Sequence, residues 1–387
     1  MGSPPENPFR YGRQLTPGEL VDRGEELAQV RRAMLERGML FLIGPRRFGK
    51  TSIANVAAAQ AVAEGATVLR FDAEAFPTPQ QLAERIVAEA TKHLSGAAEK
   101  AHAWLSAMFR RLRPNAVFNA QDATWTVSFG VDTSSAQAIP NLVEALNGVD
   151  RAAQAQRKPV AVVIDELQAL LIEGGRVAEG QLRAAVQTHE ALGYVFAGSD
   201  TKYLERLTGN PSAAFFNQGT RVFVGPVPDG DMLEFLRQSF ATGRFAVSEA
   251  AFSAILDLAD RVPYNVQALA SECWQRLCAA PAKVWEARDV ANSARAVALR
   301  SDPLYTQLWT ALSAAQKNAL IAFVRERGRH LQSERVTNAH RLSPSGMQKA
   351  LSALQAKHVL RSEGARGVVT LRMQDPFFAL WIEEIAP

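Results

Sequence analysis

The octapeptide Gly44-Pro-Arg-Arg-Phe-Gly-Lys-Thr51 constrains this chain more than any other stretch, because it satisfies G-x-x-x-x-G-K-[ST]. That pattern has physical meaning only where a strand ends and a helix begins. Both flanks read that way. Met39-Leu-Phe-Leu-Ile43 is an unbroken apolar run of strand length, and residues 52–64 read as an Ala-rich helix closed by Gly65. Gly44 and Gly49 are expected to take positive φ and turn successive amides toward a polyphosphate, at the positive end of the helix. Pro45, Arg46, Arg47, Phe48 and Ser52 complete the cradle. Lys50 is expected to reach the β- and γ-phosphates, and the Thr51 hydroxyl to be a Mg²⁺ ligand.

A second apolar run, Pro159-Val-Ala-Val-Val-Ile-Asp165-Glu166, ends in two carboxylates about 115 residues after Lys50. Its strand is expected to run beside the first. Asp165 would then hold Mg²⁺, largely through water, while Glu166 polarises the water that attacks the γ-phosphate. Gly193-Tyr-Val-Phe-Ala-Gly-Ser199-Asp200 is a further buried strand with a polar tip, which makes Ser199 or Asp200 a γ-phosphate sensor candidate. Thr67-Val-Leu-Arg-Phe71 reads as a strand after the phosphate-loop helix, and Arg221 opens a fifth strand and could face a phosphate. No Asn-Lys-x-Asp follows any strand, so adenine is favoured over guanine and the nucleotide is read as ATP/ADP.

With 387 residues, 47% of them hydrophobic, the chain can bury a large core spread over two or three domains. No apolar run reaches membrane-span length, and the polar Met1-Gly-Ser-Pro-Pro-Glu-Asn-Pro8 start lacks a signal-peptide core. A cytoplasmic location without a membrane partner is expected. Cys273 and Cys278 do not form a Cys-x-x-Cys pair, and the histidines lack metal-ligand spacing. Boundaries fall at proline clusters. Residues 1–25 form a strap near the nucleotide base, and 26–227 a nucleotide domain with an insertion at about 94–136 carrying a hairpin. Residues 228–300 read as an all-helical lid.

Residues 301–387 read helix, helix, helix, hairpin, which is the winged helix-turn-helix order. From residue 303 onward eleven Lys/Arg stand against six Asp/Glu, a net of +5 in a chain whose total is +4. Gln348 and Lys349 on the third helix, with Arg361 and Arg366 on the wing, are candidate nucleic-acid contacts.

These segments together resemble the archaeal-type ATPases of the AAA+/STAND group. The resemblance is carried by residues 9–26, Gly44 to Thr51, residues 160–166, residues 194–199, the helical lid and the ending Gln374-Asp-Pro-Phe-Phe-Ala-Leu-Trp381. It implies an α/β P-loop NTPase of the additional-strand type with a helical lid and a C-terminal winged helix-turn-helix. It also carries roles onto Arg23, which matches the signature in Leu20-Val-Asp-Arg-Gly-Glu-Glu26, onto Pro263 in the lid, and onto Arg221 as a finger or sensor. Asp22 and Gly24 depart from that signature, and Arg261-Val-Pro263-Tyr-Asn265 keeps only the proline of the family's lid motif. The expected function is a slow ATPase whose nucleotide state governs a winged helix that binds double-stranded DNA. A slow nucleotide-gated signalling switch whose winged helix binds a protein partner is the alternative, and a homo-oligomer is a further partner to expect.

Overall fold

Apolar runs without alternation must be covered on both faces, and a parallel sheet wrapped by helices does this. The computed structural model describes residues 5–13, 15–96, 100–279, 284–365 and 368–385. They divide into two compact units, one of Gln14–Gly225 and one joining Met1–Arg13 to Pro226–Pro387.

The first unit runs α1 (Gly24–Leu35), β1 (Met39–Ile43), α2 (Lys50–Ala63), β2 (Thr67–Asp72), α3 (Pro79–Leu94), α4 (Ala101–Met108), β3 (Pro114–Asn119), β4 (Thr124–Phe129), α5 (Ser135–Gln154), β5 (Val160–Asp165), α6 (Gln168–Leu171), α7 (Gly175–Val186), β6 (Leu192–Gly198), α8 (Thr201–Gly209) and β7 (Thr220–Phe223). The central sheet has the order β2-β5-β6-β1-β7, and all its pairs are parallel. This corrects one expectation: β6 lies between β1 and β5, so the strand ending in Asp165 is one place removed from the strand feeding the phosphate loop. Every residue of β5 and β6 is buried. Parallel strands put their carboxyl ends on one edge, which is where ligands bind in open α/β sheets.

The expected hairpin is β3 paired antiparallel with β4. The insertion is no loose excursion, because Leu105, Phe109, Leu112, Trp125, Val127 and Phe129 join the main core. Gly148 makes this possible. A Cβ there would stand 2.3 Å from the Phe109 ring.

The second unit runs α9 (Asp229–Thr242), α10 (Glu249–Leu258), α11 (Pro263–Ala279), α12 (Ala287–Arg300), α13 (Asp302–Thr310), α14 (Ala314–Arg325), α15 (Glu334–Ala339), α16 (Pro344–Ala356), β8 (Leu360–Ala365), β9 (Val368–Met373) and α17 (Pro376–Ile385). Ser343 caps α16 by accepting from the Gly346 amide, with Pro344 in the first turn. β8 and β9 form the antiparallel wing. The Asp-Pro-Phe-Phe-Ala-Leu-Trp ending becomes α17, which packs on α12 and buries Phe378 and Trp381 with Tyr305 of α13. The Trp381 indole N–H donates to Asp302 at 2.7 Å. In this unit the N-terminal segment is fastened to helices α9 and α11. Phe9 is buried among Phe235, Phe240 and Trp274, Asn7 donates to Ser271 (2.8 Å), and the Arg10 amide donates to Gln267 (3.1 Å).

Candidate nucleotide site and winged-helix surface

The phosphate loop occupies the carboxyl edge of the sheet between β1 and α2. Gly49 stands at φ 95° immediately before Lys50, a backbone position that costs glycine least. Gly44 does not share that conformation, and its requirement is space: a Cβ would sit 2.4 Å from the Val224 carbonyl oxygen. Arg47 takes a positive φ (71°) instead. Phe48 is buried and anchors the loop, while Arg46 and Arg47 are exposed, Pro45 is half-buried, and Ser52 is half-buried in the first turn of α2.

Lys50 is a buried cation. Among the described residues its Nζ donates only to the Pro45 carbonyl, at 3.0 Å. Burial pushes its pKa down, partly offset by the nearby Glu166 and Asp165 carboxylates. Thr51 donates its hydroxyl proton to Asp165 Oδ2 at 2.6 Å, joining the loop to the end of β5. Burial pushes the Asp165 carboxyl up, against the Thr51 hydrogen bond. An ammonium and a carboxylate that both lose hydration here are what a site for a polyanion and a cation requires.

Glu166 follows in the left-handed region, φ 51°. Its Oε2 accepts from the Ser199 amide (2.9 Å) and from Gln168 Nε2 (2.5 Å). Burial alone would raise its pKa, but the Gln168 hydrogen bond, Lys50 and Ser199 more than offset this and hold it low. Ser199 Oγ also accepts from Arg46 Nε at 3.3 Å, and Arg46 is paired in turn with Glu74 beyond β2. Five sequence-expected residues, Lys50, Thr51, Asp165, Glu166 and Ser199, therefore form one contiguous polar cluster, with Arg46 added. Asp200 caps α8 by accepting from the Tyr203 amide, which is a structural use of its side chain.

Arg221, Arg23 and Pro263 each have a local setting of their own. Arg221 pairs in register with Phe41, and its guanidinium lies beside Gly209, at the opposite end of α8 from Asp200. Arg23 is buried, bound to Glu26 (2.9 Å) and to the Gly225 carbonyl (2.5 Å), so it braces α1 against the chain leaving β7. Pro263 opens α11 in the second unit, where Arg261 beside it is engaged by Asp229 (3.0 Å) and Asp257 (2.9 Å).

On the winged helix, Gln348 and Lys349 are exposed on α16, and Gln348 accepts from Gln332. Arg361 corrects the sequence expectation. It is 7% exposed, donates to the Met373 carbonyl and bonds Asp260 Oδ2 at 2.6 Å, so it ties the wing to the turn after α10 and does not face solvent. Arg366 lies outside the described residues. Sequence reasoning overlooked the turn after α14, where Arg327, Arg329 and His330 are exposed and Arg341 is exposed before α16. A Cβ on Gly328 would lie 3.6 Å from the Leu371 carbonyl of β9, which sets this turn beside the wing. The run Arg325-Glu-Arg-Gly-Arg-His330 was the signal.

Among the described residues no helix is long and apolar enough to cross a membrane. Residues 33–207 match the family model described as "AAA domain", and residues 303–384 that described as "Probable winged helix domain". The chain therefore joins an AAA-type P-loop NTPase fold to a C-terminal winged helix. No curated protein matches the sequence. Among solved structures it is similar to the Walker-type ATPase PABY2304 of Pyrococcus abyssi, with 15% identity, 97% of this chain and 99% of that one covered, and a TM-score of 0.62. The ORC2 protein of Aeropyrum pernix, solved in ADPNP-ADP complexes, has 13% identity over 98% and 97% of the two chains, TM-score 0.55. The ORC1 protein of the same organism, solved in complex with DNA, has 14% identity over 95% of each chain, TM-score 0.51. These likenesses establish a common fold.

Proposed function

We propose that this chain binds ATP with Mg²⁺, hydrolyses it slowly, and uses its nucleotide state to govern a winged helix that binds double-stranded DNA. One observation carries the enzymatic reading: Lys50, Thr51, Asp165 and Glu166, drawn from two separated segments, converge at the carboxyl edge of the sheet with the Thr51 hydroxyl 2.6 Å from Asp165. Lys50 would exchange the Pro45 carbonyl for phosphate oxygens, recovering the cost of its burial. Thr51 and Asp165 would hold Mg²⁺, and that ion would supply charge neutralisation to the bound phosphates. The donor set suits that ion, being a hydroxyl and a buried carboxylate placed 2.6 Å apart. Glu166 would orient and polarise the attacking water, and Ser199, next to Arg46, would register the γ-phosphate. Arg23, Pro263 and Arg221 are kept as contributors to nucleotide response, Arg221 from a neighbouring copy in an oligomer.

Exposed Gln348, Lys349, Arg327, Arg329 and Arg341 supply the charge and amide groups that a DNA backbone and groove would meet. The fold neighbours solved with ADPNP and ADP and with DNA support both arms of the reading. The engagement of Arg261 by two aspartates favours the second reading, a slow switch whose winged helix holds a protein. Lys50→Ala should abolish nucleotide binding, and Glu166→Gln should retain ATP without turnover. A purified chain that neither binds nor hydrolyses ATP with Mg²⁺ refutes the enzyme. Duplex binding that weakens steeply with salt separates the DNA reading from the switch.

A further inference from the structure

Glu166 is held by a residue that belongs to neither nucleotide motif. Gln168 opens α6 two positions later and is 6% exposed. Its side-chain amide lies 2.5 Å from Glu166 Oε2, the oxygen that also accepts from the Ser199 amide. A carboxylate oxygen only accepts, so the amide nitrogen must face it. Gln168 Oε1 is then turned away, and among the described residues it is buried without a hydrogen-bond partner. A side chain kept buried with half of its amide unsatisfied is a poor choice for stability alone. The neighbouring strand is also shaped to admit it. A Cβ on Gly198, the last residue of β6, would stand 2.3 Å from Gln168 Oε1 and 2.7 Å from Leu204 Cδ1, so only glycine leaves the amide its place. Glu166 meanwhile occupies the left-handed region, which its side-chain contacts must help to maintain.

We propose that Gln168 is a positioning residue for hydrolysis, and that Gly198 is the gap that lets it act. Two donors on one oxygen fix the plane of the Glu166 carboxylate before ATP arrives, so the group that addresses the water is already aimed. Gln168 itself touches neither nucleotide nor water. The inference rests on the reading of Glu166 given above.

The test uses the full chain. Turnover, KM for ATP and equilibrium ATP affinity are measured for the wild type, Glu166→Gln, Gln168→Leu, Gly198→Ala and the double variant Glu166→Gln/Gln168→Leu. Gln168→Leu should lower kcat about tenfold to a hundredfold, the size of effect a small misplacement produces, with KM and affinity within about twofold. It should also retain bound ATP, as Glu166→Gln does. Gly198→Ala, which displaces the amide without altering it, should reproduce the loss. The double variant should be no slower than Glu166→Gln, because an aim has no value once the aimed group is gone. Should Gln168→Leu fail to fold, Gln168→Met carries the same test. A kcat within twofold of wild type, a KM that rises in step with the fall in kcat, or losses that multiply in the double variant would overturn the inference while leaving the ATPase intact. A wild type that turns over no ATP, or a Glu166→Gln variant as active as wild type, removes the reading of Glu166 and this inference with it.

Discussion

Arg361→Ala separates two readings of the wing. In the structure Arg361 is 7% exposed and bonds Asp260 Oδ2 at 2.6 Å, joining the wing to the turn after α10, with a second hydrogen bond to the Met373 carbonyl. Truncation leaves Asp260 without its principal partner. Breaking a buried pair costs about 3–5 kcal/mol. The Asp260 side chain is 21% exposed and Arg372 stands 3.8 Å away as a substitute cation, so the discounted loss is about 2–4 kcal/mol. Pooled over a unit of about 175 residues, this lowers its melting midpoint by roughly 5–12 °C. Chemical and thermal denaturation of wild type, Arg361→Ala, Asp260→Ala and the double variant would show it, with a coupling energy of about 0.5–3 kcal/mol between the two positions. A midpoint within about 1 °C of wild type, together with a DNA-binding salt slope reduced by about one, would make Arg361 a phosphate ligand and refute the argument.

Gly44→Ala forces a Cβ to within 2.4 Å of the Val224 carbonyl oxygen, so the phosphate loop must shift; a destabilisation of about 1–3 kcal/mol with weakened nucleotide binding is expected. Titration calorimetry and a urea midpoint check it, and unchanged values would mean that β7 yields freely. Glu179 is 2% exposed and accepts from Arg206 (2.6 Å) and Tyr203 (2.8 Å). Burial would raise its pKa, but those two hydrogen bonds hold it below the ordinary value. A depressed folded-state pKa adds stability above the unfolded value near 4.3 and loses it as pH falls through the folded value, so urea midpoints of the wild type should drop between about pH 5 and 3. Glu179→Gln should flatten that limb, and an unchanged slope would show that the carboxylate contributes nothing.

What the sequence disclosed divides according to the range of the cause. The phosphate loop, the strands on either side of it and the acidic strand end are local patterns, because apolar continuity and two glycines at fixed spacing reflect forces acting within about ten residues. The wing and the hairpin of the insertion were legible for the same reason, since alternation about a turn is local. The short helices α4, α6, α7 and α8 were missed, and so were α13 and α17. Residues such as Tyr305, alone buried on α13, give too little periodicity to read. The position of β6 between β1 and β5 is settled by pairing partners far apart in the chain.

Arg361 was misread because a basic residue on a wing looks alike whether it meets a phosphate or an aspartate, and Asp260 lies 101 residues away. Gln168 was overlooked for the converse reason. It sits two residues from Glu166, yet its role depends on the missing side chain at Gly198, thirty positions later, and on the Ser199 amide that follows. A motif names the groups that meet the substrate. The groups that aim them are fixed by packing, so at this site the second set could be found only where strand β6 turns its bare Cα toward α6.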